Sequence, residues 1–253
     1  MRVIAVSGSA SGIGAAVRAR LERAGDEVIG VDLRDAEVTA DLSDPAGRAA
    51  AVAAVGARSG GRLDGVVVCA GVGPHVEPWS TVVSLNFFGA QALLAGLRDA
   101  LVRGRDGAAV AISSNSSRLP GADGPLADAC LTGDEDGARR IALELDGHRT
   151  YAGAKLALAR WVRREAPAWA RDGVRLNAVA PGAVRTPLLD GGLAHPVYGP
   201  AIRGFPIPTG GFGTPEQVAA VVAFLLGPDA AFCAGSVVFV DGGSDAMLRP
   251  DEY

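Results

Sequence analysis

Val3-Ile4-Ala5-Val6-Ser7-Gly8-Ser9-Ala10-Ser11-Gly12-Ile13-Gly14 is the stretch from which the fold can be read. A short, wholly apolar run ending in small residues is the pattern of a strand covered on both faces, as in a parallel sheet. After it, Ala15, Val17, Ala19 and Leu21 predict a helix that Gly25 closes. The glycines between strand and helix have separate uses. Gly8 permits a sharp turn, Gly12 lets backbone approach a pyrophosphate, and Gly14 lets helix and strand pack closely. The helix N-terminus then offers amides and a positive dipole end to phosphates. The first gap is wider than in G-x-G-x-x-G, so the turn is looser, and a turn with no ligand stays open at this point.

Working outward, the same rhythm repeats. Val28 to Val31 predicts a second strand ending on Asp32, and Glu37 to Ala40 a third running into Asp41-Leu42. Asp44-Pro45 is a cap followed by a first-turn proline, opening a helix through about Arg58. Val66 to Cys69 is a fourth strand with Ala70-Gly71 as its exit, and a helix from about Ser80 to Arg103 follows. Further strands are expected at Ala108–Ile112, Val174–Val179 and Val237–Val240. Alternation of this kind predicts one α/β domain over 1–253, a doubly wound parallel sheet of about seven strands with helices on both faces.

The bulk properties narrow the function. A formal charge of −4 and a pI of about 5.4 give no basic field for nucleic acid. Cys69, Cys130 and Cys233 are odd in number and unclustered, which predicts free thiols in a reducing, cytoplasmic setting. The apolar runs look too short for a membrane span, and the N-terminal one too short for a signal peptide. His75, His148 and His195 lack metal-ligand spacing, so no metal site is expected.

Several residues carry chemistry. Asp32 lies 18 residues beyond Gly14, where a carboxylate would accept hydrogen bonds from an adenosine ribose diol and repel a 2′-phosphate. That favours NAD, although Arg34 nearby keeps NADP open; a turn-forming aspartate is the plainer reading. Tyr151 and Lys155 are one helical turn apart and project from one face. Lys155 is the only lysine beside 23 arginines, and a compact ammonium suits ribose hydroxyls and a neighbouring phenol better than a guanidinium. Ser113 and Ser114 follow the fifth strand, at the sheet edge where ligands bind. Asn86 stands among apolar residues and needs a hydrogen-bond partner.

In order along the chain, Gly8-x-x-x-Gly12-Ile13-Gly14, Cys69-Ala70-Gly71, Asn86, Ser114, Tyr151-x-x-x-Lys155 and Pro181-Gly182-Ala183-Val184-Arg185-Thr186 resemble the short-chain dehydrogenase/reductase family. The resemblance implies that Tyr151 is the general acid in carbonyl reduction and the base in alcohol oxidation, with Lys155 lowering its pKa. It implies that Ser114 holds the substrate oxygen, Ser113 being the lesser choice. Lys155 would also hold the nicotinamide ribose, and Asn86 would anchor a water leading to Lys155. It further implies cofactor contacts from Gly8, Ser11, Gly12, Ile13, Gly14, Asp32, Leu33, Ala70 and Gly71, with Asp41 and Leu42 at the adenine. Pro181, Gly182, Val184 and Thr186 would lie at the carboxamide. Cys69 departs from the family, where asparagines commonly precede the Ala-Gly.

Two segments stand apart. Ser114 and Tyr151 are 37 positions apart, more than the family commonly has, so 118–149 reads as an insert. Within it Ala138, Ile141, Ala142 and Leu145 predict an amphipathic helix. The insert could occupy the surface of a homodimer, or be a plain surface excursion. The glycine- and proline-rich 187–213 reads as a long loop serving as a lid over an apolar substrate. An NAD-dependent dehydrogenase acting on a hydroxysteroid or other apolar carbonyl compound is the expected function. A non-catalytic NAD-binding sensor on the same fold is the alternative.

Overall fold

A computed structural model describes residues 1–252. The strands β1 (Val3–Ser7), β2 (Glu27–Asp32), β3 (Val38–Thr39), β4 (Gly65–Val68), β5 (Ala108–Ile112), β6 (Arg175–Pro181) and β7 (Val237–Val240) form one sheet. Their spatial order is β3-β2-β1-β4-β5-β6-β7 and every pairing is parallel. The winding reverses between β1 and β4, and a ligand crevice forms at the C-terminal ends of strands flanking such a point. Successive strand residues explain the apolar runs. Ile4 and Val6 pack into one buried layer while Ala5 packs into the other, and Val67 and Val66 divide in the same way. Both faces of the sheet are therefore dry, as the runs required.

Helices α1 (Gly12–Arg23) and α2 (Pro45–Arg58) follow β1 and β3. Asp44 caps α2 by accepting from the Gly47 amide at 2.9 Å. The predicted third strand is the shortest element, two residues rather than four. Glu37 is drawn out of it, because its carboxylate accepts from the Gly30 amide and from Arg18.

The helix expected from Ser80 to Arg103 is a compound one. α3 (Trp79–Val83) runs through a π-helical turn at Ser84–Gly89 into α4 (Ala90–Val102). This 24-residue segment is apolar and long enough to cross a bilayer, contrary to the expectation from its sequence, yet 67% of its most apolar window lies inside the molecule. Its apolarity is used by packing against β4, α2 and the helices beyond.

The insert holds two helices, α5 (Gly124–Leu131) and α6 (Glu135–Leu143). Asp134 caps α6, and Ala138 and Ala142 are fully buried on its inner face. α7 (Gly147–Arg171) follows and is the longest helix among the described residues. The segment 187–213 is not a plain loop. It folds as α8 (Pro187–Ala194), which Thr186 caps, and α9 (Tyr198–Gly204). Pro187 opens the first of these helices and Gly204 closes the second, while Gly191 and Gly192 lie within α8. α10 (Pro215–Leu226) packs on α1, and α11 (Ser244–Leu248) follows β7.

Candidate active site

The glycine turn comes out as a cradle with no room for side chains. Gly8 has φ +69°, and a Cβ there would lie 2.7 Å from the Ala70 nitrogen. A Cβ on Gly14 would fall 2.0 Å from the Gly8 carbonyl oxygen, so the close approach is to the turn itself. Across the cleft from α1, Thr186 is the near neighbour of Gly12. At the end of β2, Asp32 accepts from the amides of Ala10 at 3.0 Å and Leu33 at 2.7 Å, which ties it to the glycine loop. Asp41 folds back on Ser43, accepting from its amide and hydroxyl.

Two clefts open along this edge of the sheet. Gly8, Ser11, Gly12, Ile13, Gly14, Asp32, Leu33, Asp41, Leu42, Ala70 and Gly71 line the first. Ser114, Tyr151, Lys155, Pro181, Gly182, Val184 and Thr186 line the second. Ile13, Cys69, Gly71, Val72, Thr186 and Leu188 belong to both, so the clefts are one continuous groove. Of the residues singled out by sequence, Asn86 alone lines neither. Leu188 and Leu189, two of the apolar residues of the expected lid segment, line the groove from α8.

The chemistry is concentrated in the second cleft. Tyr151 and Lys155 share a face of α7, with the ammonium 5.9 Å from the centre of the phenol ring. Lys155 is 4% exposed, and its Nζ donates to the Ile112 carbonyl at 2.8 Å. Burial pulls the ammonium down to about 8, with Cys69 opposing weakly. Burial pushes the Tyr151 phenol above its ordinary value, and a hydrogen bond with the Ser114 hydroxyl pulls it back. Burial is the larger of the two effects, because removing the phenolate from water is costly.

The two serines separate cleanly. The Ser113 hydroxyl donates to the Lys155 carbonyl at 2.9 Å and is a brace between β5 and α7. The Ser114 hydroxyl caps the following turn, accepting from the Ser116 amide and hydroxyl. It also faces Tyr151. Asn86 sits in the π-helical turn, fully buried, its amide paired with both the N–H and the C=O of Val72 at 2.9 Å. Gly71 passes so close that a Cβ would lie 2.9 Å from Asn86 Oδ1 and 3.6 Å from Lys155 Nζ. Asn86 therefore fixes the backbone that separates the two halves of the groove. The Cys69 thiol lies here too, pushed up to about 12 by burial, against the pull of Lys155.

Residues 2–126 match the family model described as short chain dehydrogenase, and residues 136–245 match one described as enoyl-(acyl carrier protein) reductase. The whole chain is 47% identical to the whole of a 3-alpha-hydroxysteroid dehydrogenase/carbonyl reductase from Comamonas testosteroni. The chain belongs to the short-chain dehydrogenase/reductase family. A 3-alpha-hydroxysteroid dehydrogenase from Pseudomonas sp. B-0831, solved with NADH, superposes with a TM-score of 0.98 at 51% identity, covering 99% of this chain and 100% of that one. A more distant member, cis-4-hydroxycyclohexanecarboxylate dehydrogenase from Sinomonas cyclohexanicum, is 32% identical with 97% of each chain covered. As a short-chain dehydrogenase/reductase this chain is an oxidoreductase, not the non-catalytic sensor weighed above. Family members use NAD or NADP.

Proposed function

We propose that the chain is an NAD(H)-dependent dehydrogenase/reductase that interconverts a secondary alcohol and a ketone on an apolar substrate, a hydroxysteroid or another carbonyl compound. The observation that carries this is the half-buried Tyr151 phenol, held against Ser114 with Lys155 on its face, at the inner end of a glycine-walled groove. The groove suits a dinucleotide. Backbone stands where a Cβ at Gly8 or Gly14 would lie, so the turn takes this shape only with glycine, and Ser11 leaves the first amides of α1 without a side-chain cap. Gly8, Ser11, Gly12, Ile13 and Gly14 would hold the pyrophosphate, Asp32 and Leu33 the adenosine ribose, and Asp41 and Leu42 the adenine. Ala70, Gly71, Pro181, Gly182, Val184 and Thr186 would flank the nicotinamide end. Bound there, the cofactor supplies or accepts the hydride.

In reduction, Ser114 donates to the ketone oxygen and Tyr151 gives it a proton. The burial that pushes the phenol up keeps that proton available at neutral pH. In oxidation Tyr151 takes the alcohol proton, and the nearby positive charge of Lys155 favours the phenolate. Asn86 holds the Val72 backbone and, with Gly71, keeps the space beside Lys155 Nζ open. NAD is preferred over NADP because the Asp32 carboxylate would repel a 2′-phosphate. Leu188 and Leu189 give the lid segment its apolar inner surface, which suits the hydroxysteroid and carbonyl substrates named for the relatives.

The test is Tyr151→Phe assayed with NADH and a steroid ketone, androstanedione. Turnover should vanish while NADH affinity stays nearly intact, and substantial residual turnover refutes the assignment. A cytoplasmic setting is proposed from the three free thiols. A homodimer through the outer surface of 118–149 is also proposed, and a tetramer in sedimentation would overturn it.

A further inference from the structure

We propose that the insert sets the affinity for the dinucleotide, through an ion pair between Glu135 on α6 and Arg48 on α2. Arg48 is 7% exposed, and all three of its guanidinium nitrogens donate hydrogen bonds. Nε donates to the Leu42 carbonyl at 2.8 Å, and Nη2 donates to the carbonyls of Ser43 at 2.9 Å and Ser84 at 3.0 Å. Nη1 and Nη2 grip the two carboxylate oxygens of Glu135 at 2.7 Å. Glu135 is the first residue of α6, so the positive helix end also favours its charge.

Two of these carbonyls stand at walls of the cofactor groove: Leu42 lines it, and Ser84 precedes Leu85, which lines it too. Leu42 follows Asp41 at the adenine end. Ser84 opens the π-helical turn that carries Asn86, whose amide holds Val72 between the two clefts. The walls come from segments about forty residues apart in sequence and share this guanidinium as a common donor. A buried guanidinium is tolerable only if its charge is matched, and a fork of fixed geometry matches a carboxylate on two bonds. Glu135 is that match, and it comes from the insert. Arg48 and Glu135 are accordingly positioning residues. They touch no ligand, and they fix the carbonyls that shape where the adenosine lies.

The inference rests on the reading of Asp41 and Leu42 as the adenine wall, and the experiment separates the two. NADH binding to the full-length protein is titrated by calorimetry, alongside the KM for androstanedione. Glu135→Gln keeps the shape of the side chain and removes its charge. It should weaken NADH about tenfold while the ketone KM stays within about twofold, the scale on which residues away from a ligand modulate its binding. Arg48→Lys, which keeps the charge and loses the fork, should weaken NADH similarly, and Glu135→Asp should lose less than Glu135→Gln. The proposal is overturned if both Glu135→Gln and Arg48→Lys bind NADH within about twofold of the parent. It is overturned as well if ketone KM rises in step with NADH, or if the Asp and Gln variants lose equally. Asp41→Ala is the control. If it leaves NADH affinity unchanged, the adenine wall has been misread and the inference falls with it. If it weakens NADH while Glu135→Gln does not, only the inference fails.

Discussion

Replacing Lys155 by methionine should make the cofactor-free protein more stable at neutral pH while destroying its activity. The ammonium is fully buried, and burial lowers it from 10.5 to about 8. At roughly 1.36 kcal/mol per pKa unit, keeping it charged in the fold costs about 3 kcal/mol. Methionine has a similar length and no charge, so that cost disappears. Against it stands the bond from Nζ to the Ile112 carbonyl, whose loss costs about 1–3 kcal/mol. The balance is a gain of about 1 kcal/mol, or about 2–4 °C in melting temperature for a domain of this size. The sign with pH follows from the lowered value. Between about 8 and 10.5 the unfolded chain still holds a proton that the native site has released, so the parent gains stability as pH rises through that window. The variant's advantage should be full at pH 7 and gone by about pH 10, where the lost hydrogen bond leaves it the less stable protein. Thermal melts of both proteins by circular dichroism across this range provide the measurement. A variant less stable at pH 7, or a difference that does not change with pH, refutes the account of Lys155 as a charge held in the site at the expense of the fold.

Ser114→Ala should cut turnover about a hundredfold, as for loss of a donor to a developing oxyanion, and cost about 1 kcal/mol through the lost cap on the Ser116 amide. Ser113→Ala should cost about 1 kcal/mol of stability through the bond to the Lys155 carbonyl while kcat stays near the parent value; equal kinetic losses would undo the division. Asn86→Ala leaves both polar groups of Val72 unpaired and should cost about 2–4 kcal/mol in urea denaturation. A loss under about 0.5 kcal/mol would mean that Val72 finds other partners. Asp32→Ala should weaken NADH far more than NADPH, as fluorescence titration would show, and equal losses would remove the basis for preferring NAD.

What could be read from the chain alone were the features that neighbouring residues enforce. Val3 to Val6 had to be a strand covered on both faces, because every side chain in the run is apolar and successive ones point to opposite sides. Asp44-Pro45 had to begin a helix, since cap and fixed φ act within one turn. Tyr151 and Lys155 had to share a face, because a step of four residues is only slightly more than one helical turn. Where a competing contact came from afar, the reading slipped. Glu37 left its strand for Arg18 and Gly30, and the leucines of 187–213 formed helices over the groove. The apolar helix ending at Val102 proved to be interior rather than too short to span a bilayer.

The tertiary structure alone decided why Asn86 is tolerated in the core and that the phenol is pushed up rather than down. It also decided that Arg48 meets a carboxylate 87 residues away. Propensity, periodicity and turn chemistry act within a few residues and are written in the sequence. Desolvation and the pairing of buried polar groups depend on which distant segments come to lie side by side, and only the folded chain brings them together.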